Sequence, residues 1–406
     1  MKKIVFFTGF VGGRGSSKAI KWLYDGLKEK GYQPIIVSES LYLYKLTDVG
    51  LSADYVVERS TTDNDEAIYL KTQRVLDRIS FDCMIAFSPR TYGAYYAYKK
   101  AIPYVISEYA IPSLFETFPS RYIGDVYKNA AANLLLCQFP LDLDRMSNPQ
   151  QLNNIYVVAN PYSQKRLAYA RKVRKIKKNK AREMLFKDYP ELKTEYDLFI
   201  NLTMNDEYLS PFNVAPNNRS FIDAWENQQN GYLSIQAQEQ CIGFVSRLIA
   251  GLETNYNGRT LIYLLNKIHY LMQPILDQCK QVVAFSRPAP FINLDKDLLL
   301  KKAADINICR ESLGDNTSEL YLIGKPLVTT VVPKGFMNED EGLEQIKRQG
   351  TCLAIDYDDP NYITKLISFW KNDSLQKKIQ RKQIAITDAF ITPYDYYDRL
   401  FEKLGL

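Results

Sequence analysis

Residues 287–333 read RPAPFINLDKDLLLKKAADINICRESLGDNTSELYLIGKPLVTTVVP. The run DINIC (305–309) is apolar and β-branched, as a strand requires. A short polar loop follows, with Gly314, Asp315, Asn316 and Thr317. Ser318-Glu319 then opens an apolar stretch that stops at Gly324, a pattern that predicts a helix over 318–324. Pro326 starts a second β-branched run. Strand, helix, strand is a βαβ unit, and it makes the two strands parallel. The amides of such a loop, with the first turn of its helix, form an anion site at the carboxyl end of the strand. Glu319, one turn in, can accept two hydroxyls, as a ribose diol needs. Glu311 lies eight residues earlier, across the loop, and could hold another hydroxylated group.

The same alternation extends outward. Residues 196–204, 282–285, 326–332 and 352–355 read as strands, with helices at 343–349 and 361–372. Residues 205–258 are polar and read as an insertion; 260–279 read as one long apolar helix. Toward the N-terminus, strands are expected at 3–9, 33–38, 55–58, 81–87, 103–107, 131–137 and 155–158. Helices fall at 17–30, 65–79 and 92–100. The expected fold is α/β: two Rossmann-like halves, 1–162 and 163–380. The helical stretch 381–406, with Tyr394, Tyr396, Tyr397 and Phe401, is expected to pack back on the first half.

Composition removes several classes. The chain has 406 residues, 46% hydrophobic and 24% charged, which excludes disorder and collagen and fits two or three domains. No window reaches the roughly 18 uncharged apolar residues of a membrane span. The opening MKKIVFFTGFVGG reads as a strand rather than a signal peptide, since its apolar run ends in glycines. Six cysteines lie far apart without a C-x-x-C pair, which points to a reducing cytosol. The single histidine, His269, reads as a packed helical residue. Asp142/Asp144 and Asp356/Asp358 spell D-x-D, a metal motif of a different fold, but two spaced aspartates are common and neither joins a ligand cluster; neither a metal nor a cofactor is expected. Net charge is +6 with no recognition motif, which argues against a nucleic-acid partner.

Other candidates are spread along the first half. The loop Gly9-Phe-Val-Gly12-Gly13-Arg14-Gly15-Ser16 precedes a helix and could floor a diphosphate or sugar, with Arg14 or Ser16 reaching in; it could equally be only a turn. No acidic residue obviously follows it at a ribose position. Glu108, after strand PYVIS, could serve as general base on the acceptor side or be a solvated strand-end carboxylate. Ser88-Pro89-Arg90 and Ser286-Arg287 follow strands and could meet phosphate. Residues 165–182 carry ten Lys or Arg in 18 positions, a solvated helix face or a contact for anionic headgroups.

The segment 304–326 resembles the nucleotide-sugar site of glycosyltransferases of the GT-B architecture. Ala304-Asp305-Ile-Asn-Ile-Cys309-Arg310, Ser318-Glu319 and Gly324-Lys325-Pro326 are similar to the signature of the muramoyl-pentapeptide N-acetylglucosaminyltransferases. The spacing of Glu311 and Glu319 fits the E-x7-E pattern of retaining GT-B enzymes. The resemblance implies two Rossmann-like domains facing across a cleft and a metal-independent transfer from a nucleotide-diphosphate sugar to a glycan, lipid-linked or small-molecule acceptor. It implies that the backbone of Phe291-Ile292 meets the base, that Glu311 touches the sugar and that Glu319 touches the ribose. It places the enzyme in the cytoplasm, with residues 165–182 as the contact if it works at the inner membrane face. The first loop lacks the histidine of G-G-T-G-G-H, and Thr203-Met204-Asn205 stands where a glycine-serine loop is common. Asn338-Glu339-Asp340-Glu341 replaces the glutamine pair of the N-acetylglucosaminyltransferases. A non-catalytic partner subunit and a nucleotide-sugar epimerase of the same fold are the alternatives.

Overall fold

The computed structural model describes residues 2–8, 16–40, 43–60, 63–87, 92–108, 123–137, 139–140, 152–192, 195–203, 235–286, 294–309, 315–331, 337–391 and 395–406. They form two compact units. The first holds Met1–Leu167 and Phe390–Leu406; the second holds described residues from Ala168 to Ala389.

The first unit is built on a sheet of β1 (Lys3–Thr8), β2 (Gln33–Glu39), β3 (Tyr55–Val57), β4 (Cys83–Phe87), β5 (Tyr104–Glu108), β6 (Ala132–Cys137) and β7 (Ile155–Ala159). Its order is β3-β2-β1-β4-β5-β6-β7 and every pairing is parallel. Five helices connect these strands: α1 (Ser16–Glu29), α2 (Leu43–Asp48), α3 (Asp65–Leu76), α4 (Tyr92–Lys99) and α5 (Ile123–Asn129). The central strands are apolar on both faces because both faces are covered: Ile4, Val5, Phe6 and Phe7 are all fully buried. The expected strands of this half are all present, with ends shifted by a residue or two.

After α6 (Gln164–Lys175) and α7 (Lys178–Phe186), the second unit runs β8 (Leu198–Thr203), α8 (Ile235–Asn255), β9 (Thr260–Tyr263), α9 (Asn266–Leu276), β10 (Val282–Phe285) and α10 (Leu294–Ala303). It continues with β11 (Ile306–Cys309), α11 (Asp315–Ile323), β12 (Leu327–Val331), α12 (Met337–Gln349), β13 (Cys352–Asp356), α13 (Tyr362–Lys371) and α14 (Asp373–Phe390). The six strands are again all parallel, in the order β10-β9-β8-β11-β12-β13.

Two sequence readings are corrected here. The stretch read as an insertion contains the 21-residue helix α8, the crossover from β8 to β9, with Phe244, Val245, Leu248, Ile249 and Leu252 buried. The stretch read as one helix from 260 is a buried strand, TLIY, followed by α9. A short apolar run has no period of its own, so the helix behind it absorbed the strand.

Glu253 near the end of α8 shows how a crossover is fastened. Its carboxylate accepts from the backbone N–H groups of Lys280 at 2.8 Å, Gln281 at 3.0 Å and Val282 at 3.1 Å, where β10 begins. The Lys280 amide first, then the other two, hold its pKa below the usual carboxylate value against the opposing effect of burial. A depressed folded pKa contributes stability above the unfolded value that is lost as pH falls through the folded one. Glu253→Ala is therefore expected to cost about 1 kcal/mol at neutral pH. In acid the two proteins should converge. Urea unfolding at both pH values checks this; an equal gap in acid would contradict it.

The last helix, α15 (Asp395–Leu404), belongs to the first unit. Tyr396, Tyr397, Leu400 and Leu404 are buried in it. The Tyr396 hydroxyl donates to Ser107 Oγ at 3.1 Å, and that of Tyr397 lies between the carbonyls of Trp22 (3.2 Å) and Pro161 (3.1 Å). Phe401 stacks on Tyr32 at 4.7 Å. Gly26 in α1 permits this approach, since a Cβ there would sit 1.7 Å from the Tyr397 hydroxyl oxygen. The usual cost of a helical glycine is thus accepted for contact.

Candidate active site

In each sheet the strand order reverses once. In the first sheet this happens between β1 and β4, in the second between β8 and β11. Ligands of open parallel sheets bind outside the carboxyl ends of the strands at such a point. Thr203 pairs with Cys309 at the carboxyl ends of β8 and β11, and Thr8 pairs with Phe87 at those of β1 and β4. The two sequence segments singled out above leave the sheets at these places: the loop before α11 follows β11, and the glycine-rich loop follows β1.

At the second switch point a chain of buried amides and charges links sheet to helix. Asn201 of β8 donates to the side-chain oxygen of Asn307 in β11 at 2.8 Å, and Asn307 donates to the Lys301 carbonyl at 3.1 Å. Both asparagines are fully buried. The Lys301 ammonium is also fully buried and is held by Asp297 at 2.7 Å, by Asn316 Oδ1 at 3.0 Å and by the Glu319 carboxylate. The pairing of α10 to the first turn of α11 is therefore ionic. Thr317, Ser318 and Glu319 have no exposed surface, while Asn316 is half-buried.

This revises the sequence reading of Glu319. A carboxylate sealed against Lys301 has no face left for a ribose diol in this arrangement. Nothing in the local spacing announced it, because Lys301 is 18 residues away. The helix also begins at Asp315, three residues before the expected Ser318.

Of the other candidate residues, Gly12, Gly13, Arg14, Phe291, Ile292, Arg310, Glu311 and Gly314 lie outside the described residues. The same holds for Ser88 and Arg90. Ser16 and Asp315 are the first residues of their helices, and Glu108 is the last residue of β5, next to β4. The neighbouring Ser107 hydroxyl is engaged by Tyr396.

Two features were missed. The first is Glu39, the last residue of β2 beside the end of β1, where Thr8 pairs with Ser38. Dinucleotide-binding folds keep an acidic residue at this place. Here it is buried and bound to Arg59 at 2.5 Å, whose amide is held by Ser40 Oγ at 3.0 Å. The second is a contact of His269, whose Nδ1 lies 3.2 Å from Ser286 Oγ, just past the carboxyl end of β10. Burial lowers the imidazole pKa, with the Ala284 carbonyl acting the other way.

Among the described residues, no group of three or more His, Cys, Asp or Glu could hold a metal ion. None of their helices is long and apolar enough to cross a membrane.

Comparison of the whole chain with solved structures gives full-length matches. MurG of Acinetobacter baumannii superposes with a TM-score of 0.56 at 12% identity, covering 100% of both chains. The spinosyn rhamnosyltransferase SpnG reaches 0.61 at 11% identity over 99% of this chain and 100% of its own. The fold is GT-B. A UDP-GlcNAc 2-epimerase from Neisseria meningitidis, bound to UDP-GlcNAc, matches with 0.59 at 13% identity over 99% of each chain. GT-B thus accounts for both sheets and for the two Rossmann-like units. No family model matches the chain, and no curated protein matches it in sequence.

Proposed function

We propose that the chain is a glycosyltransferase that moves a sugar from a nucleotide-diphosphate donor to an acceptor hydroxyl. The observation that carries this reading is the signature segment 304–326 at the switch point of the second sheet, with α11 opening from the carboxyl end of β11. In this reading the amides from Gly314 to Ser318 meet the diphosphate, which the helix dipole favours. Phe291-Ile292 meets the base, Arg310 the phosphates, and Glu311 the ribose or sugar hydroxyls. Glu319 fixes the first turn of α11 through Lys301 and reaches a ribose only by giving that partner up.

The first unit takes the acceptor. Glu108, at the carboxyl edge of its sheet, is the proposed general base. Gly12, Gly13, Arg14 and Ser16 floor the acceptor side. Charge on the departing diphosphate is met by amides and Arg310, so transfer should persist in EDTA. The free cysteines 83, 137, 279, 309 and 352 suit a reducing cytoplasm.

Thermal unfolding with UDP, GDP, TDP and CMP sugars tests the reading, since a ligand at a hundredfold its dissociation constant stabilises by about 2.7 kcal/mol. Stabilisation by none of them would defeat it. A second reading, a nucleotide-sugar epimerase, is kept open by the likeness to the UDP-GlcNAc 2-epimerase. Product analysis separates them: an epimer formed without any acceptor favours the epimerase. Tight donor binding with neither product favours a non-catalytic subunit.

A further inference from the structure

The opposite, amino-terminal edge of the second sheet gathers cations. Asp305, immediately before β11, accepts from Lys178 at 2.5 Å, Arg182 at 2.5 Å and the Phe199 amide at 2.7 Å. Lys325, just before β12, is half-buried and its ammonium donates to the Ala304 carbonyl at 2.6 Å. Lys302 donates to the Arg174 carbonyl at 2.8 Å. Arg182 also donates to the Ala303 carbonyl at 3.0 Å. Arg174 itself donates from Nε and Nη2 to the Leu322 carbonyl and from Nη1 to both carboxylate oxygens of Asp388, at 3.0 and 2.9 Å.

Helix-end carbonyls accept these hydrogen bonds, but a carbonyl does not neutralise a charge. Five cations share two carboxylates, Asp305 and Asp388. Asp197 nearby is engaged by the Arg259 amide. The excess registers at Lys325. Burial first, then Lys302 from α10 and Lys178 and Arg182 from α7, hold its pKa down to about 7, while Asp305 pulls it up. Arg174 likewise adds to the lowering of Lys302 by burial. The group is reached from its α7 side, where the side chains of Lys178 and Arg182 are 44% and 21% exposed, while Lys302 is buried and Lys325 half-buried.

We propose that this edge of the second unit binds a phosphate-bearing anion through Lys178, Arg182, Lys302 and Lys325. The site lies at the other end of β11 and β12 from the proposed donor loop and does not depend on that reading. It gives part of the basic run 165–182 a defined role: Lys178 and Arg182 of α7 carry the exposed part of this cluster of charge. Free phosphate groups and anionic lipid headgroups share this chemistry. An arriving anion also draws a proton onto Lys325, so binding should strengthen as pH falls through neutrality.

The test is calorimetric titration of the full chain with inorganic pyrophosphate, at about pH 6 and about pH 8 on either side of that titration. A parallel arm sediments the protein with phosphatidylglycerol vesicles and with neutral phosphatidylcholine vesicles. The expected result is binding that is tighter at the lower pH and takes up protons. It should fall roughly tenfold in Lys325→Met and in Lys178→Gln, each of which removes a charge-assisted contact. Lys178→Gln, at an exposed side chain, keeps the test decisive should Lys325→Met fail to fold. Sedimentation with the anionic vesicles alone, lost in the same variants, assigns the phosphate to a lipid; pyrophosphate binding without it assigns a free anion. Binding of neither probe overturns the proposal, as does binding that Lys178→Gln leaves unchanged.

Discussion

Glu319→Ala is expected to destabilise the second unit by about 3 kcal/mol, the lower end of the range for breaking a buried ion pair. The variant leaves Lys301 fully buried with only Asp297 and Asn316 to hold it. Replacing both partners by apolar residues, Lys301→Met with Glu319→Leu, should restore part of the loss, because the buried ammonium is gone and only Asp297 then loses it as a partner. Denaturant unfolding of the two single variants and the double variant checks this as a cycle. A loss under about 1 kcal/mol, the scale of an exposed pair, would show that the pair is not sealed. If nucleotide binding then disappeared while stability held, Glu319 would be the ribose contact after all.

Deleting residues 391–406 should be more damaging still. Four side chains, Tyr396, Tyr397, Leu400 and Leu404, lose their burial, and the surfaces around Trp22 and Ser107 open to water. At about 1.5–3 kcal/mol per large buried side chain, the loss exceeds about 6 kcal/mol before any relaxation. That is comparable with the whole stability of a typical domain, about 5–15 kcal/mol. Tyr397→Ala alone should cost about 3–5 kcal/mol. Limited proteolysis that cuts the first unit of the truncated chain, with the second unit intact, is the expected pattern. Unchanged resistance across both units would sink it.

Sequence gave access to the fold because parallel strands covered on both faces are unbroken apolar runs. KIVFF, CMIAF and INIC need no partner to be recognised. The errors fell where that signal merges with its neighbour, as at TLIY before α9. The candidate site was legible only in its local part. A loop after a strand and a glycine after a helix are written within a few residues of each other. Which carboxylate is left to a ligand is decided by distant residues. Lys301 claims Glu319 across 18 positions, and Arg59 claims Glu39 across 20. Single-sequence spacing contains neither fact.

The return of α15 to the first unit sets an order of events during synthesis. Residues 2–167 emerge from the ribosome early, yet the surface that receives Tyr396 and Tyr397 stays uncovered until some 230 further residues have been made. At about 5–20 residues per second, that wait is roughly 10–50 s. The second unit has all its strands before then, so it can complete while the first is still open. The nascent first unit should therefore need shielding by a chaperone for most of translation. A circular permutant that begins with α15 ahead of β1 should lose that need.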